Sequence, residues 1–149
     1  MLAGEIMEQN YVTERVKTNN LTLLTDLYQL TMMNGYHICG LDKTRAVFDV
    51  FYRGAGGYSY AIAAGLEQAI DYIRNLHFDD SDIQYLHSLG IFGEEFLSAL
   101  KDFSFSGDIK AVPEGTMVFP YEPILTVSAP LWEAQLVETA LLTFINHQT

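Results

Sequence analysis

Positive charge is scarce in this sequence: eight lysines and arginines stand against 19 acidic residues, a formal net charge of −11 over 149 residues. A chain this acidic repels a phosphate backbone unless its cations gather. Arg15, Lys17, Lys43, Arg45, Arg53, Arg74, Lys101 and Lys110 are dispersed along the chain, which argues against nucleic acid as a partner. Cysteine is almost absent as well. Cys39 alone excludes an intramolecular disulfide and suits a reducing compartment, so a cytoplasmic location is expected. No run approaches the roughly 18 to 20 uninterrupted apolar residues of a membrane helix. The segment 1–20, with Glu5, Glu8 and Glu14 among few apolar residues, is neither a secretory signal nor an arginine-rich transit peptide. It reads as a loosely docked arm, and residues 21–149 as one domain.

What the chain does have is a core. Apolar residues make up 49% of it and charged residues only 18%, a balance that excludes disorder. No internal repeat or linker divides it.

The first periodic segment runs from Asp26 to Ile38, with Asp26 and Gln29 spaced as a capping box and Gly40 as the stop. Arg45 to Tyr52 alternates and is rich in β-formers, which predicts a strand broken by Gly54-Ala-Gly-Gly57. Tyr60 to Leu76 reads as an amphipathic helix, with Ile62, Leu66, Ala69, Ile70 and Ile73 on one stripe. Short helices are expected over 83–89 and 94–101. Strands are expected over 108–112, 116–119 and 124–127, with turns at Pro113-Glu-Gly115 and Pro120-Tyr-Glu-Pro123. Pro130 opens a long last helix. Helices, short strands and a helix predict an α+β domain in which short antiparallel strands pack against helices. The last helix carries no stop signal and is apolar around most of its circumference. A helix of that kind belongs inside something larger, so the chain reads as the first part of a longer protein.

Few motifs carry chemistry. The glycines at 54, 56 and 57 lack the Lys-Ser/Thr ending of a P-loop and the spacing of a dinucleotide fingerprint, and read as a strand-to-helix connection. Asp79, Asp80 and Asp82 lack the further ligands and closing Glu of a calcium loop, and read as favourable charges at a helix start. His37, His77, His87 and His147 show no zinc-ligand spacing with one another or with Cys39, so no metal site is expected. No nucleophile elbow is present. Leu23 to Thr31 offers more. With Asp26 as cap, Tyr28 falls in the first helical turn, beside unpaired backbone amides and the positive end of the dipole. An aromatic face there suits a flat heteroaromatic ring bearing a carboxylate. The competing reading packs Tyr28 into the core beside Leu24 and Thr31.

Leu24-Thr-Asp-Leu-Tyr-Gln29 resembles the opening motif of the nicotinate phosphoribosyltransferases. Further segments follow in that family's order: Phe48-Asp-Val-Phe-Tyr-Arg53, Tyr60-Ala-Ile-Ala-Ala-Gly-Leu66, Phe105-Ser-Gly-Asp108, Pro113-Glu-Gly-Thr116, Val118-Phe-Pro-Tyr-Glu-Pro123 and Glu133 through Thr149. One departure is that Arg53 runs straight into the glycines without the family's proline-containing insertion. The resemblance implies the amino-terminal domain of a type II phosphoribosyltransferase that precedes an α/β barrel. The whole enzyme would be a transferase, with ligase-like coupling to ATP, joining nicotinate to phosphoribosyl pyrophosphate for NAD salvage, with Mg2+ supporting the donor. It implies a homodimer in which Tyr28, with Asp26 positioning it, reaches the nicotinate of the partner's active site. Asp26 reads equally well as a plain helix cap. No catalytic residue is expected on this chain, and none of its histidines matches the family's phosphorylated one. Two alternatives stand beside this reading: a nicotinamide- or quinolinate-using relative, and a non-catalytic dimerisation or binding module.

Overall fold

The computed structural model describes residues 20–54, 57 and 59–149. In chain order the elements are α1 (Leu27–Ile38), β1 (Arg45–Phe51), β2 (Ala61–Ile62), α2 (Leu66–Arg74), α3 (Asp80–Ser88), α4 (Glu94–Lys101), β3 (Asp108–Ala111), β4 (Met117–Val118), β5 (Pro123–Pro130) and α5 (Leu131–Gln148). This is the α+β arrangement of short antiparallel strands and packed helices that the sequence predicts.

β5 is the central strand of a three-stranded antiparallel sheet ordered β1-β5-β3. Its central place follows from its sequence: Ile124, Leu125, Val127 and Ala129 are all buried, and prolines stand only at its ends, where no ladder bond is lost. The strand is longer than the expected 124–127 because both edges are paired, Phe48 facing Val127 on one side and Ile109 facing it on the other. Thr126 Oγ1 donates to Asp49 Oδ1 at 2.6 Å, tying β1 to β5 on the outer face. A register shift between Val50 and Phe51 ends the regular pairing. There Tyr121, at φ 68°, donates its backbone N–H to Tyr52 O at 2.7 Å and closes the Pro120–Pro123 turn.

α5 leaves β5 directly and packs on α1, α2, β1 and β5. Leu136, Leu141 and Ile145 are fully buried in that packing, each stabilising the fold by about 1.5–3 kcal/mol relative to exposure. Leu142, Thr143 and Asn146 are exposed on its outer side, Leu142 being the apolar one among the three. The nearly all-round apolar pattern is therefore covered for the most part by elements of this same chain.

Three expectations are corrected. The helix expected from Tyr60 starts only at Leu66, because Ala61 and Ile62 pair with Val118 and Met117 as strands. Gly65, at φ 97°, turns the chain out of that strand, and the Glu114 carboxylate accepts from Leu66 N at 2.6 Å, capping α2 from a distant turn. The capping box expected at Asp26 does not form. Asp26 precedes α1 without a side-chain cap bond, and Gln29 is fully buried and turned toward α5. A complete capping box forms instead at α3, where Asp79 and Asp82 exchange bonds with each other's backbone N–H at 2.9 and 3.0 Å, so that helix begins at Asp80 rather than Ile83. The α1 stop at Gly40 is as expected: Leu41 N bonds Tyr36 O and Gly40 N bonds His37 O, a Schellman closure at φ 67°. Of the expected arm, residues 1–19 lie outside the described residues, while the Asn20 amide donates to Asp82 Oδ2 at 2.7 Å and is docked. Ala55 and Gly56 of the glycine connection also lie outside them.

Candidate functional site at the start of helix α1

Tyr28 is half exposed, at 51% of its free area, so the reading that packs it in the core is wrong. It projects from the first turn of α1 toward the middle of α5. Its hydroxyl accepts from Gln29 Nε2 at 2.8 Å and faces Glu138 Oε1 at 3.5 Å. Asp26 lies beside it, with Oδ2 accepting from Thr139 Oγ1 at 3.1 Å. The structure thus brings both sequence-predicted residues to one place, but Asp26 is there as an acceptor for α5 and not as a helix cap. The Tyr28 phenol is pushed up from its ordinary range by partial loss of water first, then by the negative charges of Glu138 and Asp26. The Gln29 amide acts in the opposite sense.

Behind Tyr28 the network runs inward. Gln29 Nε2 also reaches Thr139 Oγ1 at 3.4 Å, and Gln29 Oε1 accepts from Gln135 Nε2. Gln135 Oε1 in turn accepts from the Tyr36 hydroxyl at 3.2 Å. Two amides buried between α1 and α5 are costly unless every donor and acceptor is used, and here they satisfy each other. Glu138, Thr139, Gln29 and Gln135 were not foreseen as site residues. All four lie within the family-like segments 24–29 and 133–149, but nothing beyond their polarity marked them out individually.

Glu138 also borders a cleft of about 790 Å3 between β1 and α5, with Phe48, Asp49, Phe51, Arg53 and Asn146 among its walls. Arg53 is the cation nearest to hand, its guanidinium carbon 5.9 Å from the centre of the Phe51 ring. Arg45, by contrast, is tied to Asp108 at 2.7 Å.

The described residues do not fit a resident metal ion. Among them no three His, Cys, Asp or Glu side chains gather as a metal site. Asp79 and Asp82 hold Asn20 and the α3 backbone instead of presenting open oxygens. His37 is structural, its ring stacked 6.4 Å from Trp132 and 3.4 Å from Asp42 Oδ2. Cys39 is exposed and free. No helix among the described residues is long and apolar enough to cross a membrane.

The sequence profile of the nicotinate phosphoribosyltransferase (NAPRTase) N-terminal domain matches residues 23–146. A nicotinate phosphoribosyltransferase of Bacillus subtilis (strain 168) is 45% identical over 134 residues, 89% of this chain and 27% of that protein. One from Mycobacterium tuberculosis (strain ATCC 25618 / H37Rv) is 44% identical over 128 residues, 85% of this chain and 27% of that protein. The crystal structure of human nicotinic acid phosphoribosyltransferase superimposes with a TM-score of 0.76 at 36% identity, covering 83% of this chain and 25% of that one. The chain therefore spans about a quarter of the length of the relatives it matches.

Proposed function

The chain belongs to the nicotinate phosphoribosyltransferase N-terminal domain family, and from that premise we propose that it serves an enzyme forming nicotinate mononucleotide from nicotinate and phosphoribosyl pyrophosphate. The observation that carries the reading on this chain is Tyr28: an aromatic face left half open at a helix start, yet anchored through its hydroxyl to a buried network. A side chain that only filled space would have no need of that anchorage. Tyr28 stacks on the pyridine ring, and Asp26 holds the α1 start against α5 so that the ring is presented in one orientation.

In the parent reaction the pyridine nitrogen displaces pyrophosphate at the anomeric carbon of the ribose. Steadying that leaving group demands gathered positive charge. Among the described residues Arg45 is already paired with Asp108, and Arg74, Lys101 and Lys110 lie on three different elements, so this domain supplies ring recognition and not leaving-group stabilisation. Magnesium and ATP, where the whole enzyme uses them, are held by residues outside this domain. The outer face of α1 supports the further proposal of a homodimer with a shared site. Leu27, Tyr28 and Met32 are exposed on α1 and Leu24 is exposed just before it, apolar surface that a partner subunit would cover. A cytoplasmic location fits the single free cysteine.

Incubating the purified 149-residue chain with nicotinate, phosphoribosyl pyrophosphate, ATP and Mg2+ is expected to yield no nicotinate mononucleotide. Robust turnover would place the whole chemistry on these residues and overturn the division of labour. In an active protein carrying this domain, Tyr28→Ala is expected to raise the KM for nicotinate by about tenfold, the loss of roughly 1.4 kcal/mol of binding. An unchanged KM would return Tyr28 to a purely surface role.

A further inference from the structure

We propose that Asp26, Thr139 and Gln29 form a polarity relay that fixes the Tyr28 hydroxyl as an acceptor on its inner side, so that its proton is directed outward to a hydrogen-bond acceptor on the ligand. The inference rests on the reading of Tyr28 as a ring-contacting residue and adds three positioning residues to it.

The chain of hydrogen bonds through the two amides is ambiguous when taken alone. Tyr36, Gln135, Gln29 and Tyr28 form a series that works in either direction: flipping both amides and rotating both hydroxyls gives an equally satisfied network. What removes the ambiguity is a branch. A carboxylate can only accept, so Asp26 Oδ2 takes the single proton of Thr139 Oγ1 across 3.1 Å. Thr139 then has only lone pairs to offer Gln29, which must present its nitrogen there, at 3.4 Å. The same nitrogen meets the Tyr28 oxygen at 2.8 Å. With the Gln29 nitrogen so placed, its oxygen must face Gln135, as observed. Gln29 is fully buried, so no water can compete to reverse the amide.

Tyr28 therefore cannot direct its own proton inward. Among the described residues the outward acceptor it meets is Glu138 Oε1 at 3.5 Å, the long limit of a hydrogen bond. A proton so weakly held is available to a ligand carboxylate. Glu138 and Asp26 are the charged groups that bear on this hydroxyl.

The test reads polarity directly. With tyrosine labelled at the ring carbon bearing oxygen, NMR titration of the 149-residue chain follows the Tyr28 phenol, assigned by its loss in Tyr28→Phe. Thr139→Val removes the hydroxyl while keeping shape. The Gln29 amide is then free to turn its oxygen toward Tyr28, and the phenol is expected to titrate at higher pH than in the parent. Thr139→Ser, which keeps the hydroxyl, is expected to restore the parent value, a rescue that a packing role would not give. A Tyr28 titration in Thr139→Val identical to that of the parent overturns the relay; Asp26→Asn does not serve for this arm, because loss of its charge alone moves the phenol. In an active protein carrying the domain, Thr139→Val is expected to raise the nicotinate KM severalfold with kcat unchanged. A shifted titration with an unchanged KM overturns the ligand-facing half of the proposal. A Tyr28→Ala variant with unaltered KM in that same assay would assign the failure to the site reading itself.

Discussion

Glu133 holds Ser106 by both its backbone and its side chain: one carboxylate oxygen accepts from Ser106 N at 2.6 Å, and the other accepts from Ser106 Oγ at 3.0 Å. The carboxylate is buried in the first turn of α5, where the helix dipole favours a negative charge, and it anchors the segment that leads into β3. Glu133→Ala removes a charge-assisted pair of bonds and is expected to cost about 2 kcal/mol. The urea midpoint should fall while the slope of the transition stays constant. A midpoint within error of the parent would show that the loop finds its place without this anchor.

Gly65 meets α5 in a different way. A Cβ there would lie 2.9 Å from Phe144 O and 3.2 Å from Phe144 C, both backbone atoms that cannot swing aside, and the residue holds φ at 97°. Gly65→Ala is expected to destabilise by about 3 kcal/mol, combining steric overlap with an unfavourable backbone conformation. Gly90 is the control. It has a similar positive φ of 67° but open space around its missing Cβ. Gly90→Ala should cost only about 1 kcal/mol. Equal losses in thermal or urea unfolding would mean that φ alone matters and that the contact with α5 is soft.

These two contacts mark where the sequence was legible and where it was not. Local signals were read correctly when the partner was local. The alternation of β1, the Gly40 stop, the exact extent of α4 and Pro130 at the start of α5 all depend on residues within a few positions. The capping box at Asp26 failed because its spacing is only permissive. Thr139, over a hundred residues away, competes for the same carboxylate, and Gln135 takes Gln29. The start of α2 failed for the same reason: the apolar stripe through Ile62 has the right period, but pairing with Met117 and Val118 draws that stretch into a strand. Tyr28 and Asp26 were singled out because they sit at the predicted start of a helix and within a family-like motif. Glu138, Thr139 and Gln135 lie on α5 amid apolar residues, and only the docking of two helices shows what they do.

Tyr72 tests the cost of a buried hydroxyl. Its ring packs edge-on to Phe144 at 5.6 Å, and its oxygen has no hydrogen-bond partner among the described residues, with burial pushing the phenol well up. Removing an unsatisfied group leaves the ring contact intact. Tyr72→Phe is therefore expected to be neutral or stabilising by up to about 1 kcal/mol, in contrast to the usual cost of deleting a buried polar atom. Destabilisation by more than that would reveal a water or partner bound to the hydroxyl in solution.

The α3 cap gives the domain a specific acid sensitivity. The Ser81 hydroxyl, then the Asp82 backbone N–H and the Asn20 amide, hold the Asp79 carboxyl down from 3.8 to about 2. A carboxyl lowered in the folded state stabilises above its unfolded value and loses that contribution as pH falls through the folded one. The stabilisation is thus complete above about pH 4 and gone near pH 2. Asp79→Ala is expected to cost about 1 kcal/mol at neutral pH, the ordinary worth of an N-cap. The difference between parent and variant, followed by urea unfolding across this range, should shrink toward zero as acid protonates Asp79. Asn20→Ala should lose a smaller amount over the same interval, because its amide is only one of the donors holding the charge. A gap between parent and Asp79→Ala that stays constant down to pH 2 would mean that the cap acts through packing and not through its charge.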